Sequence, residues 1–393
     1  MTVPFASAAA RRGDPYVTVP VAYDGILLAG FGGPEGQEDV IPFLRNVTRG
    51  RGIPDERLEE VAHHYRHFGG VSPINAQNRA LKAALEAELE ARGLDLPVYW
   101  GNRNWAPYLN DAVEDAAAAG DTTLLAIATS AYASFSSCRQ YREDFARVLA
   151  ETGLGETVTI DKVRQFFDHP GFVQPFVDGV RDAVAGFLSG GLEPGRVRVL
   201  FSTHSIPTAD AERSGPRDVD FGEGGAYAAQ HRAVAQVVMD AVAAELAATG
   251  LQGAHEVGWE LVFQSRSGPA SQPWLEPDVC DVIATLPDRG VAAVAIVPLG
   301  FVSDHMEVLW DLDTEALDAA RDAGLAAVRT RTPGVDPAFV RGLVDLVEER
   351  LRGTAPADRP HATALGPWFD VCRPGCCENI RAGFKPAAAG LAP

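Results

Sequence analysis

The sequence predicts an α/β protein of two domains, each a parallel sheet flanked by helices. Short apolar runs alternate with amphipathic helical stretches, the order expected of strand–helix–strand units. The runs fall into two series, and 393 residues suffice for two hydrophobic cores.

Residues 1–20 read as a flexible leader, because "MTVPFASAAARRGDPYVTVP" lacks the continuous apolar stretch of a secretory signal; a cytoplasmic protein is expected. Residues 21–165 form the N-terminal unit, with strands in "DGILLAG" (24–30), "PVYWG" (97–101) and "TTLLAIATS" (122–130) and a helix such as "NRALKAALEAELEARG" (78–93) between them. Residues 166–335 repeat the design without repeating the sequence. Their strands are "RVRVLFS" (196–202), "GWELVFQS" (258–265), "VAAVAIVPLG" (291–300) and "LAAVRT" (325–330). A last helix, within 336–353, ends at Gly353 and is expected to pack back on the body. Residues 354–393 turn to Pro, Ala and Gly and read as a cysteine-containing tail.

With 46% hydrophobic residues the composition is that of an ordinary soluble enzyme. A formal charge of −19 argues against nucleic acid or an anionic membrane as partner, since both reward clustered Lys and Arg. A cation is the more natural guest. No stretch approaches the roughly 18 to 20 apolar residues needed to span a bilayer, so no integral membrane segment is expected.

Only nine histidines occur, and His204 ends the run "LFSTHSIP" (200–207) at a carboxyl strand edge, where open α/β sheets place ligands. The plain alternative is a histidine capping the following turn. Beyond the third strand of the same unit, Glu307, Asp311 and Glu315 recur at i, i+4 and i+8 on one helical face. Stacked like charges oppose helix formation and raise one another's pKa. A solvated acidic face would tolerate this, and so would a path for a cation; Met306, Val308, Leu309, Trp310 and Leu312 around the stripe favour an enclosed, wet lining.

Five segments, "LLAGFGGPEG" (27–36), "FGGVSPINAQN" (68–78), "LFSTHSIP", "FQSRSGPASQPWLEPD" (263–278) and "PLGFVSDHMEVLWDLD" (298–313), resemble the motifs of the ferrochelatases, which insert ferrous iron into a porphyrin. They stand in that family's order. The resemblance implies two Rossmann-like domains with the active-site cleft between them. It implies that His204 is the metal-site and proton-accepting histidine and Glu307 its partner carboxylate, with Asp311 and Glu315 as a path for metal or protons. Insertion must remove two pyrrole protons while delivering Fe2+, and a His with a pKa near 6.5 can accept protons at neutral pH. His305, beside Glu307 but off its face, is read as structural.

By the same resemblance Ser72 and Tyr141 contact the porphyrin. Arg45, Tyr65 and Arg103 are weaker picks as donors near the matching segments. Phe31 departs from family members that place a ligating tyrosine there. "HHYRH" (63–67) is not read as a metal site, because it supplies no carboxylate and lies on a helix forming one lip of the cleft. Gly32, Gly33 and Pro34 lack the order of a phosphate loop.

Three of the five cysteines lie in "WFDVCRPGCCENIRAGFKP" (368–386), too polar to need them for packing. A disulfide is not expected in a reducing compartment; zinc with a fourth ligand is one use of the thiols. Some ferrochelatases carry a 2Fe-2S cluster on three C-terminal cysteines and one interior cysteine, which implies Cys372, Cys376 and Cys377 here. Cys138, just past a strand's carboxyl end, is the interior choice over Cys280, which sits in a helical pattern.

The expected reaction is insertion of Fe2+ into coproporphyrin III, favoured over protoporphyrin IX by the lack of an apolar membrane-facing lip and by a bias toward Ala, Gly, Arg and Asp resembling actinobacterial sequences. A non-catalytic porphyrin or metal carrier is the alternative from another class, and a cobalt chelatase a rival within the same one. The partners are then coproporphyrin III and ferrous iron, with room for transient contact with neighbouring haem-pathway enzymes.

Overall fold

The computed structural model describes residues 14–50, 52–267, 271–378 and 385–389. Eight strands form two four-stranded sheets. The first holds β1 (Gly25–Gly30), β2 (Val98–Asn102), β3 (Thr123–Ala128) and β4 (Thr159–Lys162) in the order β2-β1-β3-β4. The second holds β5 (Val197–His204), β6 (Gly258–Gln264), β7 (Ala293–Val297) and β8 (Ala326–Arg329) in the order β6-β5-β7-β8. Every pairing is parallel, so helices must cover both faces and the central strands read as unbroken apolar runs. All six residues of β1 and all five of β7 are buried. The two domains are the expected α/β units.

β4 went unread because its text, "TIDK", is polar. The strand is nonetheless interior: Asp161 accepts from the Tyr23 hydroxyl and from Arg350 Nη2, both at 2.8 Å. Lys162 Nζ donates to Gln165 Oε1 at 2.6 Å. Its charges are buried but satisfied, which an apolar pattern cannot reveal. The helix Pro337–Arg352 packs against both Ile74–Ala91 and Pro170–Ser189 and so ties the second half of the chain to the first. Arg92 reinforces this contact through Asp345 and Glu348.

Segment 354–378 is folded against the body. Arg359 is buried, and donates to Asp370 Oδ2 at 2.7 Å and to the Val17 carbonyl at 3.0 Å. Val17 N–H donates to Asp370 Oδ2 at 2.8 Å. Residues 15–17, read as part of a leader, are thereby pinned; residues 1–13 lie outside the described residues, as do 379–384 and 390–393 of the tail.

Candidate active site

The carboxyl edges of both sheets open onto one cavity of about 490 Å³, lined by residues that follow β1, β2, β3, β5, β6 and β7. Phe31, Ser72, Tyr141, His204, Glu307 and Asp311 all face it. The loop after β7 lies directly on the His204 strand: a Cβ at Gly300 would stand 2.1 Å from Thr203 Oγ1, so only glycine fits.

His204 ends β5 and Glu307 opens the helical segment beginning at Met306. The His204 Nδ1–H points at the Ser205 carbonyl, which leaves Nε2 toward Glu307, 3.6 Å from Oε2. Both side chains face the cavity and remain partly accessible to solvent through it, Glu307 more than His204. Enclosure disfavours the imidazolium, but the Glu307 charge and hydrogen bond outweigh it and push His204 up to about 9. Enclosure likewise disfavours the carboxylate, but His204 wins and holds Glu307 at about 2. The resting pair is therefore imidazolium and carboxylate at neutral pH. A second imidazole, that of His305, stands close by; its Nδ1 accepts the Glu307 N–H at 3.2 Å and caps the helix start.

Only Glu307 of the acidic stripe sits on an α-helical turn, Met306–Val308; Asp311 and Glu315 do not. Residues Leu309–Ala316 form a π-helix, a wider turn that recurs at functional sites. Burial, abetted by the charges of Glu307 and Glu315 and opposed by a Ser265 hydrogen bond, pushes Asp311 up to about 7. Glu315 is exposed, and its Oε1 accepts the Trp310 indole N–H at 2.9 Å. The half-buried Asp311 thus lies between Glu307, which faces His204 across the cavity, and the solvated Glu315.

Ser72 is buried at the cavity wall, where its N–H donates to the Pro34 carbonyl. The Tyr141 ring lies beneath the Arg103 guanidinium at 4.0 Å, and Arg103 is held by Asp144 at 2.5 Å. Tyr65 also lines the cavity, whereas Arg45 pairs with Asp55 on the exposed surface and does not. Phe31 presents its ring to the cavity and packs edge-on against Phe43. The "HHYRH" histidines surround Trp310: His64 stacks on it at 4.0 Å, with His63 and His67 at 5.8 and 5.6 Å. The "GFGGPEG" turn is clamped by Asn75, whose Nδ2 donates to the Gly33 carbonyl at 3.2 Å.

The Ferrochelatase family profile matches residues 23–351. The chain belongs to the ferrochelatase family. It is 66% identical over 396 residues to Coproporphyrin III ferrochelatase of Leifsonia xyli subsp. xyli, covering 99% of each chain. It is 55% identical to the protein of that name from Tropheryma whipplei, over 94% of this chain and 93% of the relative. The Streptomyces griseus protein of the same name is 54% identical, over 94% and 97%. Among solved structures it is similar to SirB from Bacillus subtilis with Fe3+, at TM-score 0.44 and 13% identity, covering 89% of this chain and 100% of that one.

Away from the ferrochelatase cavity, four cysteines meet in the interior. Cys138 Sγ lies 3.7 Å from Cys377 Sγ, and Cys377 Sγ lies 3.9 Å from Cys376 Sγ. Cys372, also buried, lies within electrostatic reach of the other three thiols. Among the described residues no three His, Cys, Asp or Glu groups are arranged to hold a single metal ion, so the thiols touch one another without forming a mononuclear cage. The Gly215 N–H donates to Cys377 Sγ at 3.2 Å. Arg142, one helical turn beyond Cys138, is buried within electrostatic reach of all four thiols, and its Nη1 has no hydrogen-bond partner among the described residues. Cys138 itself lies in a short π-helix, Phe135–Arg139, where a loop was expected. Cys280 stands apart on the helix Val279–Thr285.

Sequence reading passed over several residues that the fold brings to the site. The Tyr227 hydroxyl donates to the His204 carbonyl at 2.9 Å, yet Tyr227 hides in a long apolar helix. Gln264 and Ser265 end β6 as His204 ends β5, and that shared strand-edge position was the available signal.

Proposed function

We propose that this ferrochelatase inserts Fe2+ into coproporphyrin III, with His204 and Glu307 as its catalytic and metal-contacting residues. The observation that carries the reading is the His204–Glu307 pair facing an apolar-walled cavity at the carboxyl edges of both sheets. Loose oxygen and imidazole donors suit a ferrous ion that must be passed on, not kept. Because Glu307 holds a proton on His204, the imidazole becomes a base only when that carboxylate is engaged elsewhere. An incoming cation does this: it takes the Glu307 charge, the His204 proton departs along Asp311 and Glu315, and the freed Nε2 accepts one pyrrole proton, passes it along the same carboxylates and then accepts the second. Metal arrival is in this way coupled to proton loss, and the two pyrrole protons leave as the ion enters.

Ser72 and Tyr141 support the macrocycle, with Arg103 above Tyr141 as a cation for a carboxylate substituent. Phe31 offers the product iron no ligand. The preference for coproporphyrin III rests on the names of the relatives and on the lip helix Asp55–His67, whose exposed residues include Glu56, Arg57, Glu59 and Arg66. No described helix is long and apolar enough to cross a membrane. A cytoplasmic location and transient contact with enzymes handling the porphyrin before and after belong to the same reading, as does a division into domains 21–165 and 166–335. Anaerobic incubation with Fe2+ and either coproporphyrin III or protoporphyrin IX tests it. Metalation of coproporphyrin III is expected to be faster, and equal or reversed rates would reject the preference.

Cys138, Cys372, Cys376 and Cys377 fit a 2Fe-2S cluster: four buried thiols gathered in one place, a backbone N–H donor, and the Arg142 charge without a described anion. When bound, the cluster supplies a redox-sensitive clamp between the Phe135–Arg139 turn and segment 354–378. It stands apart from the insertion residues.

A further inference from the structure

Ser265 adopts φ +61°, the left-handed region that favours glycine and that serine holds only under constraint. What the conformation achieves is specific: the Ser265 hydroxyl donates to Asp311 Oδ2. The preceding Gln264 is fully enclosed, and each end of its amide is engaged. Its Oε1 accepts the Ser202 hydroxyl at 2.7 Å, while Nε2 donates to the Glu307 carbonyl at 3.0 Å and reaches Asp311 Oδ2 at 3.4 Å. The Gln264 carbonyl in turn accepts the Ser205 N–H at 2.7 Å. Ser202 and Ser205 lie on either side of His204 in the chain, so this dipeptide holds the His204 strand at two points and also reaches Glu307, in the turn Met306–Val308, and Asp311, in the π-helix that follows.

We propose that Gln264 and Ser265 are positioning residues for metal insertion: they lock the Glu307 backbone and the Asp311 carboxylate in register with His204, and Ser265 keeps a strained backbone in order to aim its hydroxyl at Asp311. A turn that served only to end β6 would gain by having glycine here, because glycine adopts this φ freely. A serine at that φ is explained by the hydroxyl it presents. The proposal rests on His204 and Glu307 being the insertion centre.

The test compares wild type with Ser265→Gly, Ser265→Asn and, as a control on the centre itself, His204→Ala, reading thermal unfolding together with kcat and KM for Fe2+ and for the porphyrin. Ser265→Gly is expected to unfold at the same or a higher temperature, since it relieves the backbone, yet to insert iron about tenfold more slowly for want of one hydrogen bond to a charged acceptor, with porphyrin KM unchanged. Ser265→Asn, which tolerates the left-handed region and can still donate, is expected to recover part of the rate. Wild-type turnover in Ser265→Gly while His204→Ala is inactive would overturn the positioning role alone. Wild-type turnover in His204→Ala would overturn the centre and this proposal with it.

Discussion

His204 Nε2 stands 3.6 Å from Glu307 Oε2, with the opposite ring nitrogen committed to the Ser205 carbonyl. The pair fixes which groups are charged before substrate arrives. The folded pKa of His204, about 9, exceeds its ordinary 6.5, so its contribution to folding is complete below about 6.5 and lost as pH rises through about 9. Glu307, lowered from 4.5 to about 2, contributes above about 4.5 and loses that as pH falls through about 2. With the two side chains 30% and 49% exposed, solvent screens the effect on stability, and the shift is best read on the ring itself. In an NMR titration the His204 imidazole is expected to titrate near 9 and to fall toward 6.5 in Glu307→Gln. A wild-type value near 6.5 would refute the resting ion pair.

Substitution along the acidic stripe is expected to give a graded loss. Glu307→Gln should nearly abolish iron insertion, Asp311→Asn should slow it strongly, and Glu315→Gln, farthest along the chain from the His204–Glu307 pair, should be mildest. Steady-state rates under anaerobic conditions check the order. Equal effects at all three positions would mark a solvated acidic face without a path.

At the cavity wall, Ser72→Ala and Tyr141→Phe are each expected to weaken porphyrin binding by about 0.5–1.5 kcal/mol, the net value of one hydrogen bond. Fluorescence quenching on titration with coproporphyrin III measures it. Unchanged affinity in both variants would remove these residues from the porphyrin site.

Protein purified without oxygen is expected to be brown. Its visible spectrum should be lost in Cys138→Ser and kept in Cys280→Ser, since only Cys138 reaches the C-terminal thiols. Colourless protein with stoichiometric zinc would replace the cluster assignment.

Much of this was legible in the chain, for physical reasons that also explain the gaps. The central strands β1 and β7 announced themselves because strands buried on both faces must be apolar throughout, while β4 escaped because Asp161 and Lys162 are buried but hydrogen-bonded. His204 and the three carboxylates were found from strand-edge position and spacing, together with the family motifs. The π-helix was not, since a spacing of four reads as an ordinary α-helix. Gln264 and Ser265 stayed hidden because their importance lies in what they touch. Segment 354–378 looked loose because Arg359 and Asp370 look like surface residues until each is seen to bury the other.

The threading of Arg359 and Asp370 onto Val17 spans 342 and 353 residues of sequence. A ribosome makes Val17 hundreds of residues before its partners. Both sheets can assemble while synthesis continues, but this seam cannot close until segment 359–377 has been made. A chain stalled before Arg359 would carry both halves of the cavity with the segment around Val17 unanchored. The seam thus closes after the cavity's walls have been synthesised, and ordering of Val17 reports that synthesis has passed Asp370.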